Sequence, residues 1–387
     1  MKQTINFHIH RDTQGFQIFD ALYAYYQSLG PAFESAIDIK ISQDFDTSSD
    51  LNIFCDYMPG RVNKEQISKY DLIFFSTSCE PLTVSTPLIA KMLVDDPRCF
   101  LINNSLLTSD HQYLDKIIWY PGNIRECKKL WTDHFYPHYY TNLDNLTRTR
   151  IGNMIFINGE NRSWRYYFSQ LLQQACPTLP IRSSISTGVR KTNNSDYEST
   201  LDQSFRQWVN EYFKDKIVNS GTAYYADSSS VGIDGKFGRH PPGIQILNEY
   251  FDYQCVIFPE TSWLNNELGI TEKALKCFYS GCWPWPVGGA NVNRLYNELG
   301  FYTAWNLLPI ELQAFDSELD HRRRYQLQCV AIAWLHAHPE VFDSESAVKM
   351  IKSNQQNFHV STSELISVQR FDMLIKKFLL QKKCKHD

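Results

Sequence analysis

The stretch at residues 258–301, FPETSWLNNELGITEKALKCFYSGCWPWPVGGANVNRLYNELGF, decides how this chain is read. An apolar run, Val256 to Phe258, leads into it as a strand and delivers Glu260 to the loop at its carboxyl end. A polar loop then reaches Gly269-Ile270-Thr271-Glu272-Lys273. With Thr271 as N-cap, Glu272 and Lys273 take the first two positions of a helix running to Tyr279. The open N–H groups of such a helix start attract anions such as phosphate, and lysine there adds a flexible positive head for the same anion. Glutamate beside it accepts hydrogen bonds from ribose or sugar hydroxyls. The same residues also describe a capped surface helix with Glu in its first turn, and spacing alone favours that plainer reading. The strand that follows is broken by Trp283, Trp285 and Pro286. Proline removes a ladder donor, so this strand must be short or end early.

Moving outward, the first half alternates short strands with helical patches. Thr4 to Ile9, Leu51 to Cys55, Leu72 to Phe75 and Cys99 to Asn103 read as strands, and apolar recurrence at 16, 19, 22, 26 and 29 predicts a helix over 16–29. Strand, polar turn, helix, strand is the signature of a parallel sheet covered by helices, where ligand groups gather at the carboxyl edge. A polar stretch near 139–153 precedes a fresh strand, Met154 to Ile157, and a helix from Trp164 to Gln174. This gives two α/β domains, 1–145 and 150–340. Terminal helices over 341–387 are expected to pack back on the first domain, and 185–200 is a polar loop.

The 387 residues suffice for a sizeable core without disulfides or a structural metal. The 24 Phe, 22 Tyr and 9 Trp suit a thick core, and suit grooves that hold sugars or bases as well. A net charge of -4, with 38 Lys plus Arg against 42 Asp plus Glu, argues against unspecific binding of long nucleic acids. No apolar run is long enough to span a membrane, and the start, MKQTINFHIHRD, is too charged for a secretory signal. Ten scattered cysteines without a CxxC pair predict reduced, mostly buried thiols and a cytoplasmic location.

The stretch at 258–301 resembles the nucleotide-sugar-binding domain of the α1,3-fucosyltransferases, whose motif runs Phe-x-Glu-Asn-Ser, then Thr-Glu-Lys, then Gly-x-x-Pro-x-x-x-Gly. Here the parts are Phe258-Pro259-Glu260-Thr261-Ser262, Thr271-Glu272-Lys273, and Gly281-Cys282-Trp283-Pro284 through to Gly288. Leu295 to Phe301 is similar to the helix and Gly-Phe pair of putative phage and large-virus glycosyltransferases. Ile233-Asp234-Gly235-Lys236 partly echoes an upstream fucosyltransferase element, and Arg162 and Arg165 match two arginines of an Arg-x-His-Arg opening. Thr261 departs from the family asparagine.

The resemblance implies a glycosyltransferase of the GT-B type with two facing Rossmann-like domains, moving a hexosyl or pentosyl group from a nucleoside-diphosphate sugar to an acceptor hydroxyl. It implies that Lys273 and Arg165 neutralise the diphosphate, with Lys236 a further contact, and that Glu272 holds a hydroxyl. Glu260 then orients the sugar or stabilises the loop, while Thr271 and Gly288 complete the donor site. Helix N–H groups with Lys and Arg offset the leaving charge, so no metal or other cofactor is expected. Inversion needs a base on the acceptor side, for which Asp12 ranks first and Glu80 second, with Asp56 a third carboxylate at a strand end. The acceptor is a carbohydrate or another hydroxyl, modified DNA included. A non-catalytic interaction protein on a degenerate version of this fold is the alternative from another class.

Two competing features stand elsewhere. Asp44-Phe45-Asp46 has the Asp-x-Asp form of metal-dependent glycosyltransferases but lies far from the motif stretch. His8 and His10 share one strand face, where packing or surface exposure accounts for them without a metal.

Overall fold

A computed structural model describes residues 3–9, 22, 24–27, 37–56, 64–76, 87–103, 105–107, 114–120, 150–158, 163–183, 248–260, 267–360 and 362–383. In chain order its strands are β1 (Gln3–Ile9), β2 (Ile37–Ser42), β3 (Leu51–Asp56), β4 (Leu72–Ser76), β5 (Cys99–Asn103), β6 (Ser105–Leu107), β7 (Ile117–Trp119), β8 (Gly152–Asn158), β9 (Ile181–Ser183), β10 (Tyr253–Pro259), β11 (Glu267–Gly269) and β12 (Trp283–Val287). The described residues divide into two compact units. The first takes those of Met1–Lys128, Glu267–Thr271 and Val360–Asp387, and the second those of Lys129–Asn266 and Glu272–His359.

The first unit is a parallel sheet in the order β2-β1-β3-β4-β5-β7. Its central strands are apolar on both faces because both faces are covered. Leu51, Ile53, Cys55, Leu72, Phe74, Phe100 and Ile102 point into one layer with Leu22 and Tyr26. The alternate residues Phe54, Ile73, Phe75, Cys99 and Leu101 point into the other, with Ile67 and Leu93. The helix Thr362–Lys383 joins the first layer through Val368, Phe371, Ile375 and Leu379, a helical recurrence of three and four. Buried Tyr26 donates to Asp372 of that helix at 2.5 Å, and Lys376 pairs with the other oxygen of Asp372 at 2.7 Å.

Sequence reading had the segment before Thr271 as loop. Its last part instead forms β11, antiparallel to β6 with Gly269 opposite Ser105. A three-residue ladder of Glu, Leu and Gly carries no alternation for a sequence to betray. Strand β2, IDIKIS, is likewise an addition: it alternates, but with Asp38 and Lys40 on a half-exposed sheet edge.

The second unit holds a parallel sheet in the order β12-β10-β8-β9. β12 has five residues and lies at the edge, which is what its prolines require. The Val287 carbonyl accepts from Glu260 N at 2.8 Å, so residues of that parity face β10. Pro284 and Pro286 have the opposite parity, and their missing N–H groups fall on the side away from the ladder. Trp283 and Trp285 enter the core, the latter stacked on Phe315 at 5.7 Å. The helix Ser163–Ala175 adds Trp164, Tyr167, Phe168 and Leu172, and the helix His321–Ala337 adds Tyr325, Cys329, Ile332 and Leu335. The helix Glu345–Val360 supplies Ala347 and Ile351 to the same core.

Helix Glu272–Ser280 ends in a left-handed Gly281 (φ 70°), and Cys282 N donates to the Cys277 carbonyl at 3.1 Å. Arg150 closes this end. Its guanidinium donates to the carbonyls of Ser280 and Gly281, and to Tyr250 and Phe251 in the last turn of Asn248–Asp252, at 2.6–3.0 Å. A cation among C-terminal carbonyls is the favourable end for its charge.

The seven described cysteines are free and buried. Among the described residues no helix is long and apolar enough to cross a membrane.

Candidate functional site

The carboxyl edge of the second unit's sheet is where its chemistry-bearing residues gather. β8 ends at Asn158 and leads to the helix carrying Arg165, β10 ends beside Glu260, and β12 ends beside Gly288. Arg165 is 3% exposed, and its Nη2 donates to the Glu260 backbone carbonyl at 2.9 Å. The Glu260 carboxylate is 2% exposed and accepts from the Tyr296 hydroxyl at 2.5 Å. Burial, then the charge of Glu260 and its hydrogen bond, push the Tyr296 phenol well above its usual range, with Glu272 adding to the shift. Tyr296 thus stays protonated and donates to Glu260.

Glu272 and Lys273 open their helix as the sequence reading expects, with buried Thr271 immediately before it. Lys273 Nζ lies 3.1 Å from Glu272 Oε1. The lysine side chain is 10% exposed and the glutamate 30%, so the pair presents its carboxylate more than its ammonium. Gly288 follows the last rung of β12, and its carbonyl accepts from Arg324 Nε at 3.3 Å.

A third helix, Val292–Glu298, also starts at this edge, but its N-terminus is taken. Asp316, 4% exposed, accepts from Asn293 N and Asn293 Nδ2 through one oxygen and from Arg294 N through the other, all at 2.9–3.0 Å. A carboxylate already sits where a phosphate would. Among the described residues, the helices beginning at Ser163 and Glu272 also start at this edge.

Tyr296, Asp316 and Arg324 were missed from the sequence. Arg324 had a signal: Arg322-Arg323-Arg324 reads as a solvated basic run, yet 324, 325, 328, 332 and 335 form one helical face. Arg322 and Arg323 are exposed and Arg324 is wholly buried. Its Nη1 donates to the Glu318 carbonyl at 2.6 Å and its Nη2 donates to His321 Nδ1. Burial, with the Arg324 charge second, lowers the His321 pKa from 6.5 to about 4. The folded imidazole is therefore neutral where the unfolded one takes a proton, so stability falls as pH drops from about 6.5 towards about 4. Melting curves across that window should show His321→Gln losing less than wild type. Parallel curves for the two proteins would show that His321 contributes nothing to the slope.

Asp12, Glu80 and Lys236 lie outside the described residues, as do Arg162, Thr261, Ser262 and His10. Asp56 ends β3 in the first unit and is 1% exposed, which leaves little surface for an acceptor to reach. His8 stacks on Phe54 at 5.4 Å and meets the edge of Tyr70, the packing role expected of it. Asp46 is occupied in its own turn. Its carboxylate accepts from Ser48 N and Oγ and from Ser49 Oγ, and pairs with Lys40 at 3.0 Å. The Ser48 hydrogen bond and the Lys40 contact lead in holding this carboxyl well below its usual range. Among the described residues no group of three or more His, Cys, Asp or Glu side chains is arranged to hold a metal ion.

No family model matches the chain, and no curated protein does. It is similar to solved structures of α1,3-fucosyltransferases. One is 12% identical over 98% of this chain and 90% of its own, with a TM-score of 0.45. A second, with GDP, is 12% identical over 98% and 91%, with a TM-score of 0.35. A third, with GDP-fucose, is 11% identical over 90% and 81%, with a TM-score of 0.32.

Proposed function

We propose that the protein is a glycosyltransferase that holds a nucleoside-diphosphate sugar at the carboxyl edge of its second sheet. The observation that carries this reading is the cluster there: a lysine and glutamate opening one helix, a buried arginine in the first turn of another, and a buried glutamate–tyrosine pair alongside. Lys273 and Arg165 supply positive charge for the diphosphate, and Glu272 accepts from a ribose or sugar hydroxyl. Glu260, whose carboxylate accepts from Tyr296 and whose carbonyl accepts from Arg165, orients the sugar or stiffens the loop end. Transfer breaks the bond from the anomeric carbon to the diphosphate oxygen and forms one to the acceptor oxygen, whose proton goes to a base. Asp12 and then Glu80 are our candidates for that base, and the outcome is inversion. A reducing, cytoplasmic setting belongs to the same reading.

Charge on the departing diphosphate is offset by Lys273, Arg165 and helix N–H groups, and we hold that no divalent ion is needed. Wild-type protein should melt at higher temperature with one member of a panel of nucleoside diphosphates, GDP included, because ligand that binds only the folded state stabilises it. Titration calorimetry should then give the same affinity with and without EDTA. Loss of binding on chelation would sink the metal-free claim and return attention to Asp44 and Asp46.

A further inference from the structure

We infer that Arg324 is a positioning residue for the donor site, setting the peptide between Gly288 and Gly289 so that its N–H faces the diphosphate. The inference rests on the donor-site reading above. β12 leaves the sheet at Val287, level with Glu260, and turns through Gly288-Gly289-Ala290-Asn291 into the next helix. The far end of this turn is fixed, since Asn291, at φ 63°, donates its N–H to the Asp316 carbonyl at 2.5 Å and the N–H groups of Asn293 and Arg294 go to the Asp316 carboxylate. The near end is fixed by Arg324, whose Nε donates to the Gly288 carbonyl. A trans peptide is planar, with its C=O and N–H pointing opposite ways. A Gly288 carbonyl drawn back onto Arg324 therefore turns the Gly289 N–H away from the arginine. Two glycines in succession leave no Cβ between that N–H and a ligand.

The arginine itself is costly where it stands. A guanidinium out of water needs several well-aligned acceptors, and Met or Leu would fill the same space more cheaply. Arg324 meets Gly288 O, Glu318 O and His321 Nδ1 with its three nitrogens, and stands 5.4 Å from the ring of Tyr325. Packing alone does not call for a fork; holding one carbonyl in one direction does.

Calorimetry on wild type, Arg324→Lys and Arg324→Met, with the preferred nucleoside diphosphate and its parent nucleoside, tests this. The diphosphate should bind the variants about tenfold more weakly, the worth of one hydrogen bond to a charged oxygen. The nucleoside should bind as before. Unchanged diphosphate affinity, or equal losses for both ligands, overturns the inference while leaving the donor site standing. A wild type that binds no nucleoside diphosphate removes the donor site and this inference together. If the Arg324 variants do not fold, Gly289→Pro, which deletes the N–H, against Gly289→Ala, which keeps it, makes the same comparison. Only the proline variant should lose the diphosphate preference, and equal behaviour of the two refutes it.

Discussion

Lys273→Ala is expected to weaken nucleoside-diphosphate binding ten- to a hundredfold in calorimetry, with melting temperature little changed. The lysine is nearly buried at the second position of its helix and its ammonium lies against Glu272. A charge-assisted contact to phosphate contributes about 1.5–3 kcal/mol, which sets that range. Glu272 makes the experiment two-sided. In the free protein its carboxylate competes with any phosphate for Nζ, so Glu272→Gln should leave bare diphosphate binding unchanged or tighten it. The same variant should lose use of the intact sugar donor, because the acceptor for a hydroxyl has gone. Wild-type affinity in Lys273→Ala, with the fold intact, would reduce the motif to a capped surface helix.

The second large effect is on stability. Asp316→Ala should cost about 3 kcal/mol or more, read as a lower denaturation midpoint. The carboxylate is buried and satisfies two backbone N–H groups and the Asn293 amide. Deleting it strands donors that cost about 1–3 kcal/mol each when buried without a partner. Asn293 is also the acceptor for Thr303 Oγ1 at 2.7 Å, so the damage spreads into the turn after the helix. Asp316→Asn keeps one acceptor oxygen and should fall between. A midpoint within experimental error of wild type would mean that water replaces the carboxylate and that the turn is not held as described.

How much of this was legible beforehand follows from which interactions are local. The central strands announced themselves because residues such as Leu72 to Phe75 are apolar without a break, the mark of a strand covered on both sides. The helix at Glu272 was legible from its Thr-Glu-Lys start. The position of β12 was half legible: its prolines said short, and asking where two missing N–H groups two residues apart must point would have said edge. β11 was hidden because three residues of ladder are fixed by a partner more than a hundred and fifty positions away, with no pattern of their own. Tyr296 could not be found, since only folding brings its hydroxyl to Glu260. Arg324 was hidden by its exposed neighbours, though its helical phase gave it away.

The helix Thr362–Lys383 has a consequence for the order of events at the ribosome. The sheet of the first unit is drawn mainly from the early part of the chain, yet Phe7 and Phe74 both pack against Phe371. At ~5–20 residues per second, these strands are synthesised tens of seconds before the helix that covers them. Through that interval Ile5, Phe7, Ile53 and Phe74 lack part of their cover, on a sheet whose flank is open to other chains. The nascent chain thus needs either a holding chaperone or delayed docking of its own sheet. Pausing late in translation should lengthen the time during which this protein is most prone to aggregate.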